Sequence, residues 1–506
     1  MVNIFNAAEK AFIKTKYKIL FVASESAPFA QIGGLGGVIF SLSRALREIG
    51  QDARIMIPRY AGMDLEKFPL EMEYKELEVP TGGTPEFLIC NVKKYERPDI
   101  PFTYFLENME YYEKRANIYG YSDDSVRWAL LSRGTLEFLR LSKWVPDVIV
   151  ACDWHVGFLP NYLKTEYKED PVLSKIATIF SIHNIFYQGM FDYKSVSEMD
   201  YDAGQAPIPD LFDPRLLKLN GMRRGIMYAD VVNTVSPTYA QEILTAEFGE
   251  GLDALLRERR ARVYGVLNGI DYRIFNPEND PYVPAHYNSR NIERREKNQI
   301  FLQKHFGLPQ NKEAFVMSIV ARLSEQKGID LIMQIIEPLL ANINFQLIVL
   351  GSGESEYLEF FKNIAEKHPK QIAVHPMFDT ALRHLIYAGS DVVLVPSKFE
   401  PCGLTQMEAM RYGTIPIVRE TGGLADTVED FNPKEDTGTG FVFKKYDPWA
   451  FFTAVVRARE AFRYQQQWER LIKRAMARDF SWKNSAREYI HLFSVAREYH
   501  KEDLRL

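Results

Sequence analysis

Short apolar runs alternate with longer amphipathic patterns along the whole chain, and this alternation predicts its elements. In the first half the strand candidates are "KILFVA", "ARIMIP", "DVIVAC", "ATIFSI" and "DVVNTV". In the second half they are "AFVMSIVA", "FQLIVLG", "QIAVHP", "DVVLVP", "TIPIVR" and "GFVF". Runs apolar at successive positions suit strands buried on both faces, and the helical stretches between them supply the crossovers of parallel sheets. Each half therefore reads as a doubly wound α/β domain. The seam falls near "RVYGVLNGIDYRIFNPEND", where Gly265, Asn268, Gly269 and Pro277 interrupt the pattern. Close to the carboxyl terminus Tyr489, Leu492, Phe493 and Ala496 share one helical stripe, which needs a surface to cover.

Bulk properties narrow the class. A chain of 506 residues with 46% hydrophobic and 25% charged positions is ordinary for a globular protein of more than one domain. A net charge of −5 argues against a nucleic-acid partner or a membrane surface. No apolar run approaches the roughly 18 residues of a membrane helix. The amino-terminal "MVNIFNAAEKAFIKTKYK" lacks the apolar core of a secretory signal. Cys90, Cys152 and Cys402 match no metal or C-x-x-C spacing and read as reduced thiols, so a cytoplasmic protein is expected.

The candidate chemistry lies after strands, where ligands of open parallel sheets bind. "PFAQIGGLGGVIF" places Gly33, Gly34, Gly36 and Gly37 at a strand–loop–helix junction. Glycines admit a close backbone approach and the first helical N–H groups attract anions, yet the spacing fits neither the dinucleotide nor the P-loop fingerprint. A tight turn explains it equally well. In "SIVARLSEQKGID", Arg322 and Lys327 lie five apart in a loop that could aim both at one diphosphate, or carry an ordinary solvated charge pair. In "DVVLVPSKFEPCGLTQMEAMRYG", Glu400 precedes a helix opened by Cys402, Gly403, Leu404 and Thr405, with Glu408 inside it. A carboxylate there can hold sugar hydroxyls while helix N–H groups receive phosphate oxygens, or it can serve only the helix dipole. "ACDWHVGFLP" and "SIHNIFYQGMF" place Asp153, His155, His183 and Asn184 after strands, with no metal-ligand spacing among them.

Together these stretches resemble the bacterial and plant glycogen/starch synthases, retaining glucosyltransferases of GT-B architecture. "SKFEPCGLTQMEAMRYGTIPIVRETGGLADTV" is the most specific of them, and "YGYSDDSVRWALLSRGTLEFL", "CDWHVGFLP", "SIHNIFYQGMF", "LNGID" and "ARLSEQKGID" follow the family's order. The resemblance implies two Rossmann-like doubly wound domains facing across a cleft. It implies an acceptor-side domain over 1–262, a nucleotide-sugar-binding domain over 263–480 and a terminal helix over 481–506 that returns to the first. The donor it implies is ADP-glucose or UDP-glucose, the acceptor is the non-reducing end of an α-1,4-glucan, and no metal or other cofactor is expected.

By the same resemblance Arg322 and Lys327 neutralise the leaving diphosphate, helped by the helix opening at Gly403, and Glu400 stabilises positive charge at the anomeric carbon. His183 lies against the reacting sugar, with Asn184 and Asp153 on the acceptor side. Asn268 falls near the donor phosphate, Phe378 covers the base, and Glu408 completes an E-x7-E pattern whose second carboxylate meets the ribose. Where the family reads K-x-G-G-L-G-D-V, this chain has Gln31 and Gly37, so two opposite charges and their contacts are gone. A second reading rests on that departure: a catalytically weakened paralogue that binds glucan or nucleotide as a regulator.

Overall fold

The computed structural model describes residues 15–189 and 204–505. Most of the amino-terminal stretch read for a signal, and the Met190–Phe191 end of "SIHNIFYQGMF", lie outside the described residues. The chain divides into two compact units. The described residues of Met1–Val235, Ala240–Gly269 and Trp482–Leu506 form the first, and Ser236–Tyr239 with Ile270–Ser481 form the second.

The first unit holds a nine-stranded sheet. Its strands are β1 (Lys18–Val22), β2 (Asp52–Pro58), β3 (Glu71–Pro80), β4 (Phe87–Arg97), β5 (Ile100–Glu107), β6 (Val148–Cys152), β7 (Ala177–Ile182), β8 (Val231–Thr234) and β9 (Val263–Gly265). Their order is β3-β4-β5-β2-β1-β6-β7-β8-β9. Every pair from β5 to β9 is parallel. The first five runs read as strands become β1, β2, β6, β7 and β8, and β6 and β7 are buried at every position.

An antiparallel ribbon, β3–β4–β5, extends this sheet at one edge and was not anticipated. Its turns are too short for the helical crossover that parallel pairing needs. Burial in β4 is patchy and much of β3 faces solvent, so neither strand shows a continuous apolar run.

The second unit holds six strands, all paired in parallel: β10 (Val316–Val320), β11 (Gln346–Leu350), β12 (Ile372–His375), β13 (Val392–Val395), β14 (Ile415–Arg419) and β15 (Phe441–Phe443). They are the six runs read in the second half, in the order β12-β11-β10-β13-β14-β15.

The terminal helix, Trp482–Asp503, belongs to the first unit. Its stripe of Tyr489, Leu492, Phe493 and Ala496 is buried, with Phe493 set edge-on to Tyr17 at 6.1 Å. Its far end is fixed by the bidentate Arg262–Asp503 pair, at 2.7 and 2.8 Å. No described helix is long and apolar enough to cross a membrane.

Strand order reverses direction between β1 and β6 in the first sheet and between β10 and β13 in the second. Such switch points open a crevice beyond the strand ends. The loops that carry most of the candidate residues start there.

Candidate functional site

In the first unit, β1 runs into the glycine loop, and Gly34 opens the helix Gly34–Glu48. The N-cap is Gly33, whose missing side chain leaves the first N–H groups to another acceptor. That acceptor is Glu25, which is buried. Its carboxylate takes the N–H of Ile32 at 2.6 Å, of Gly33 at 3.3 Å and of Gly36 at 3.1 Å. A carboxylate at this helix end also meets the positive pole of the dipole. The loop therefore does greet an anion, and the anion is the protein's own. Gly36 is needed for space, because a Cβ there would lie 3.1 Å from the Ala30 carbonyl oxygen. Gln31 is exposed and folds back on the loop, its Nε2 donating to the Gly33 carbonyl at 3.3 Å.

At the end of β6, Asp153 adopts φ +58° and ψ 178°, a conformation costly for any residue with a Cβ. Its carboxylate accepts the backbone N–H of His183 at 2.7 Å and that of Asn184. The strain at Asp153 thus serves to lock the loop after β7 that carries His183. Burial pushes the Asp153 carboxyl up to about 7 against these stabilising N–H groups, and the nearby charge of Glu25 adds to the rise. His183 keeps part of its surface open, yet the surrounding protein drives its ring down to about 4, so it is neutral at physiological pH. Its Nε2 lies 3.3 Å from the Ser181 hydroxyl. Asn184 turns inward on its own loop, its Oδ1 accepting the Phe186 N–H at 3.1 Å. His155 is packed flat on Trp154 at 4.2 Å and edge-on to Trp128; burial drives its ring to about 3, which is the environment of a core side chain. Asn268 is buried near the end of this unit's central segment, with an Oδ1 that has no hydrogen-bond partner among the described residues.

In the second unit the loop after β10 carries Arg322 and Lys327, and the loop after β13 carries Glu400. The two loops meet. Lys327 Nζ donates to Glu400 Oε2 at 2.6 Å, and the Ser397 hydroxyl donates to the same oxygen at 2.8 Å. The meeting depends on Gly328, at φ +70°, where a Cβ would sit 2.1 Å from the Pro396 carbonyl oxygen. Gly422 does the same for Glu400 itself, leaving room for its carbonyl. Glu400 is buried, while Arg322 is exposed and makes no ion pair or hydrogen bond through its side chain among the described residues.

The helix Thr405–Arg411 begins beside this cluster, with Gly403 at φ +70°. Cys402 is buried. Among the described residues no protein acceptor takes the N–H of Gly403, Leu404 or Thr405. The Thr405 hydroxyl reaches the carbonyl of Val320 at 3.4 Å, tying this helix start to the end of β10. Glu408, in the first turn, is buried; it accepts the Tyr387 hydroxyl at 3.1 Å and lies in an ion pair with Arg383, whose Nη1 is 3.5 Å away. Phe378 is 57% exposed, with Arg383 over its ring.

The structure thus gathers Arg322, Lys327, Glu400, the Cys402–Thr405 turn, Glu408 and Phe378 within one unit. In the other it gathers Asp153, His183 and Asn184, with Gln31, Gly33 and Gly34 on the glycine loop. Sequence reasoning missed Glu25, Ser397, Tyr387 and Arg383. Glu25 stands two residues beyond the first apolar run, and Ser397 three before Glu400, but neither position announces its partner. Among the described residues no three His, Cys, Asp or Glu side chains cluster as a metal site would require.

Comparison with known proteins places this geometry. Residues 18–258 match the starch synthase catalytic domain family, and residues 301–475 match glycosyl transferases group 1. The glycogen synthase of Anoxybacillus flavithermus is 39% identical over 480 residues, covering 94% of this chain and 97% of that one. The chain belongs to the glycogen and starch synthase family. Like its relatives in that family it is a glycosyltransferase built on two parallel-sheet α/β units. Among solved structures, the catalytic domain of starch synthase IV from Arabidopsis thaliana, bound to ADP and acarbose, superposes with a TM-score of 0.83 at 31% identity. That match covers 96% of this chain and 100% of that one. Sucrose-phosphate synthase from Thermosynechococcus elongatus, at 16% identity and a TM-score of 0.57, shares the fold over 95% of this chain and 98% of its own.

Proposed function

We propose that this glycogen and starch synthase homologue transfers glucose from ADP-glucose, or from UDP-glucose, to the non-reducing end of an α-1,4-glucan with retention of configuration. The second unit is the nucleotide-sugar-binding part and the first the acceptor-side part, acting in the cytoplasm. The bond between the anomeric carbon and the diphosphate oxygen breaks and its electron pair leaves with the nucleoside diphosphate, while the acceptor's 4-hydroxyl oxygen bonds to the anomeric carbon and its proton passes to the departing diphosphate. Arg322 and Lys327 meet the charge that grows on that leaving group, together with the N–H groups of Gly403, Leu404 and Thr405. Their charge fills the role that a metal ion has in other sugar-nucleotide enzymes.

Glu400 carries the opposite task. It holds hydroxyls of the transferred glucose and stabilises positive charge at the anomeric carbon in the transition state. Neutral His183 lies against the reacting sugar, and Asp153 and Asn184 shape the acceptor side. Asn268, Gln31, Gly33, Gly34 and Cys402 line the donor; Phe378 stacks on its base and Glu408 meets its ribose.

One observation carries this reading: the Lys327–Glu400 bond joins the two charged groups the reaction needs, beside helix N–H groups that no protein acceptor takes among the described residues. The test is release of ADP or UDP from each sugar nucleotide, with and without glycogen. Acceptor-dependent release from either donor is expected. Binding of ADP and glucan without release would instead support the regulatory paralogue, the reading that Gln31 and Gly37 favour.

A further inference from the structure

The nucleoside end of the proposed donor site contains a cation that nothing so far has used. Arg383 lies in the first turn of the helix Thr380–Gly389, whose N-cap Asp379 accepts the Leu382 N–H at 2.8 Å. Its guanidinium is over two rings, Phe378 at 5.3 Å and Phe275 at 4.8 Å. Phe275 is buried and stacks in turn on His384, at 5.0 Å and 9°. His384 is held by Asp280 at 2.6 Å. Phe378, in contrast, is largely exposed. Arg383 therefore fastens a solvent-facing aromatic surface to a rigid core stack.

Its remaining contact is more informative. Arg383 Nη1 and the Tyr387 hydroxyl both approach the same oxygen of Glu408, Oε2, at 3.5 and 3.1 Å. The Tyr387 hydrogen bond and the Arg383 charge both lie on Oε2 and turn that oxygen toward them, and Oε1 is left with no hydrogen-bond donor among the described residues. The Arg383 Nε is buried without a partner among the described residues, so this side chain is placed at some cost.

We propose that Arg383 is a positioning residue for the nucleoside half of the donor: it orients Glu408 so that Oε1 faces the ribose hydroxyls. The proposal rests on the nucleotide-sugar reading above and assigns that reading a residue it lacked.

Calorimetric binding of ADP and of 2′,3′-dideoxy-ADP tests it, using the full chain, Arg383→Ala, Arg383→Lys and Glu408→Gln. The wild type is expected to prefer ADP by about 10- to 100-fold, the range for hydrogen bonds to a charged acceptor. Arg383→Ala and Glu408→Gln should bring that preference to within about threefold. Arg383→Lys, which keeps the charge and most of the stem, should retain part of it. In turnover, Arg383→Ala should raise the donor KM by more than it lowers kcat, as loss of uniform binding does. An Arg383→Ala variant that keeps the full preference, or loses affinity equally for both nucleotides, overturns the proposal. A wild type that binds both equally overturns the presentation of Oε1. No ADP binding by the wild type breaks the nucleotide-sugar reading itself.

Discussion

Two helix starts in this protein look alike in sequence and differ in what they do with their N–H groups. At Ile32–Gly36 the chain supplies its own anion, the buried Glu25, whose carboxylate takes the N–H groups of Ile32, Gly33 and Gly36. At Gly403–Thr405 no protein acceptor takes an N–H among the described residues, and the same unit carries Arg322, which is exposed, and Lys327, which is turned to the buried Glu400. A glycine-rich helix start signals that an anion is held, and only the surrounding side chains decide whether it is internal or a ligand. In the function proposed above, the first loop lines the donor around a helix start already filled by Glu25, and the second helix start takes the diphosphate.

The largest effect expected from breaking this arrangement is at Glu400. Glu400→Gln should keep the fold and bind ADP within a few-fold of wild type, yet lose about 100- to 1000-fold in kcat, the range for one preorganised electrostatic contact. Steady-state kinetics beside a thermal melt checks it. Near-normal kcat in a folded variant removes Glu400 from the reaction.

Glu25→Gln probes the other side of the comparison. Losing the charge of the internal anion should cost roughly 1.5–3 kcal/mol of stability, the value of charged hydrogen bonds, and lower the melting midpoint by a few degrees. An unchanged midpoint would mean that the loop does not depend on its internal acceptor.

A smaller effect is predicted for pH. Burial keeps His183 neutral down to about 4, from an ordinary 6.5. Between those values the unfolded chain takes up a proton that the folded chain refuses, so this group costs stability as pH falls through that window. Asp153 runs the other way: its carboxyl keeps a proton up to about 7 when folded and loses it near 3.8 when unfolded, so its contribution is present in acid and drains as pH rises. His183→Asn removes the first effect alone. Relative to that variant the wild type should lose roughly 1–2 kcal/mol as pH drops from about 6.5 to about 4.5. Parallel melting curves across that range would contradict a buried neutral ring.

The smallest effect concerns Gln31 and Gly37. A Cβ at Gly37 would sit 3.3 Å from Gln31 Nε2, so residues at these two positions touch. Gln31→Lys alone should change the donor KM by about a factor of a few, while Gln31→Lys with Gly37→Asp should exceed the product of the singles, as contacting residues do. Strict additivity in the four-variant cycle would separate the two positions.

Much of this was legible beforehand, for physical reasons. Strands buried on both faces cannot hide, and all eleven runs read as strands appear in the two sheets. The β3–β5 ribbon escaped because strands with a solvated face leave no continuous apolar run. Local motifs located Glu400, Lys327 and His183 at strand ends. They could not show that Lys327 and Glu400, 73 residues apart, share a bond, because register between crossover loops is a property of the sheet. Nor could they show Glu25 in the glycine loop. An acidic residue after a strand is common, and its burial against three N–H groups exists only once the loop has folded over it. The stack of Phe378, Arg383, Phe275 and His384 escaped for the same reason, since Phe275 joins it from far along the chain.

In the proposed function the second helix start receives the diphosphate, and the first, filled by Glu25, does not. Calorimetric titration of ADP into wild type, Arg322→Ala and Glu25→Gln tests it most directly. Removing the exposed Arg322 should weaken ADP binding about 10- to 100-fold and flatten its salt dependence, while Glu25→Gln should leave affinity within about threefold. The opposite order, with ADP indifferent to Arg322 and bound much more tightly once Glu25 is neutral, would place the diphosphate on the glycine loop and contradict this account.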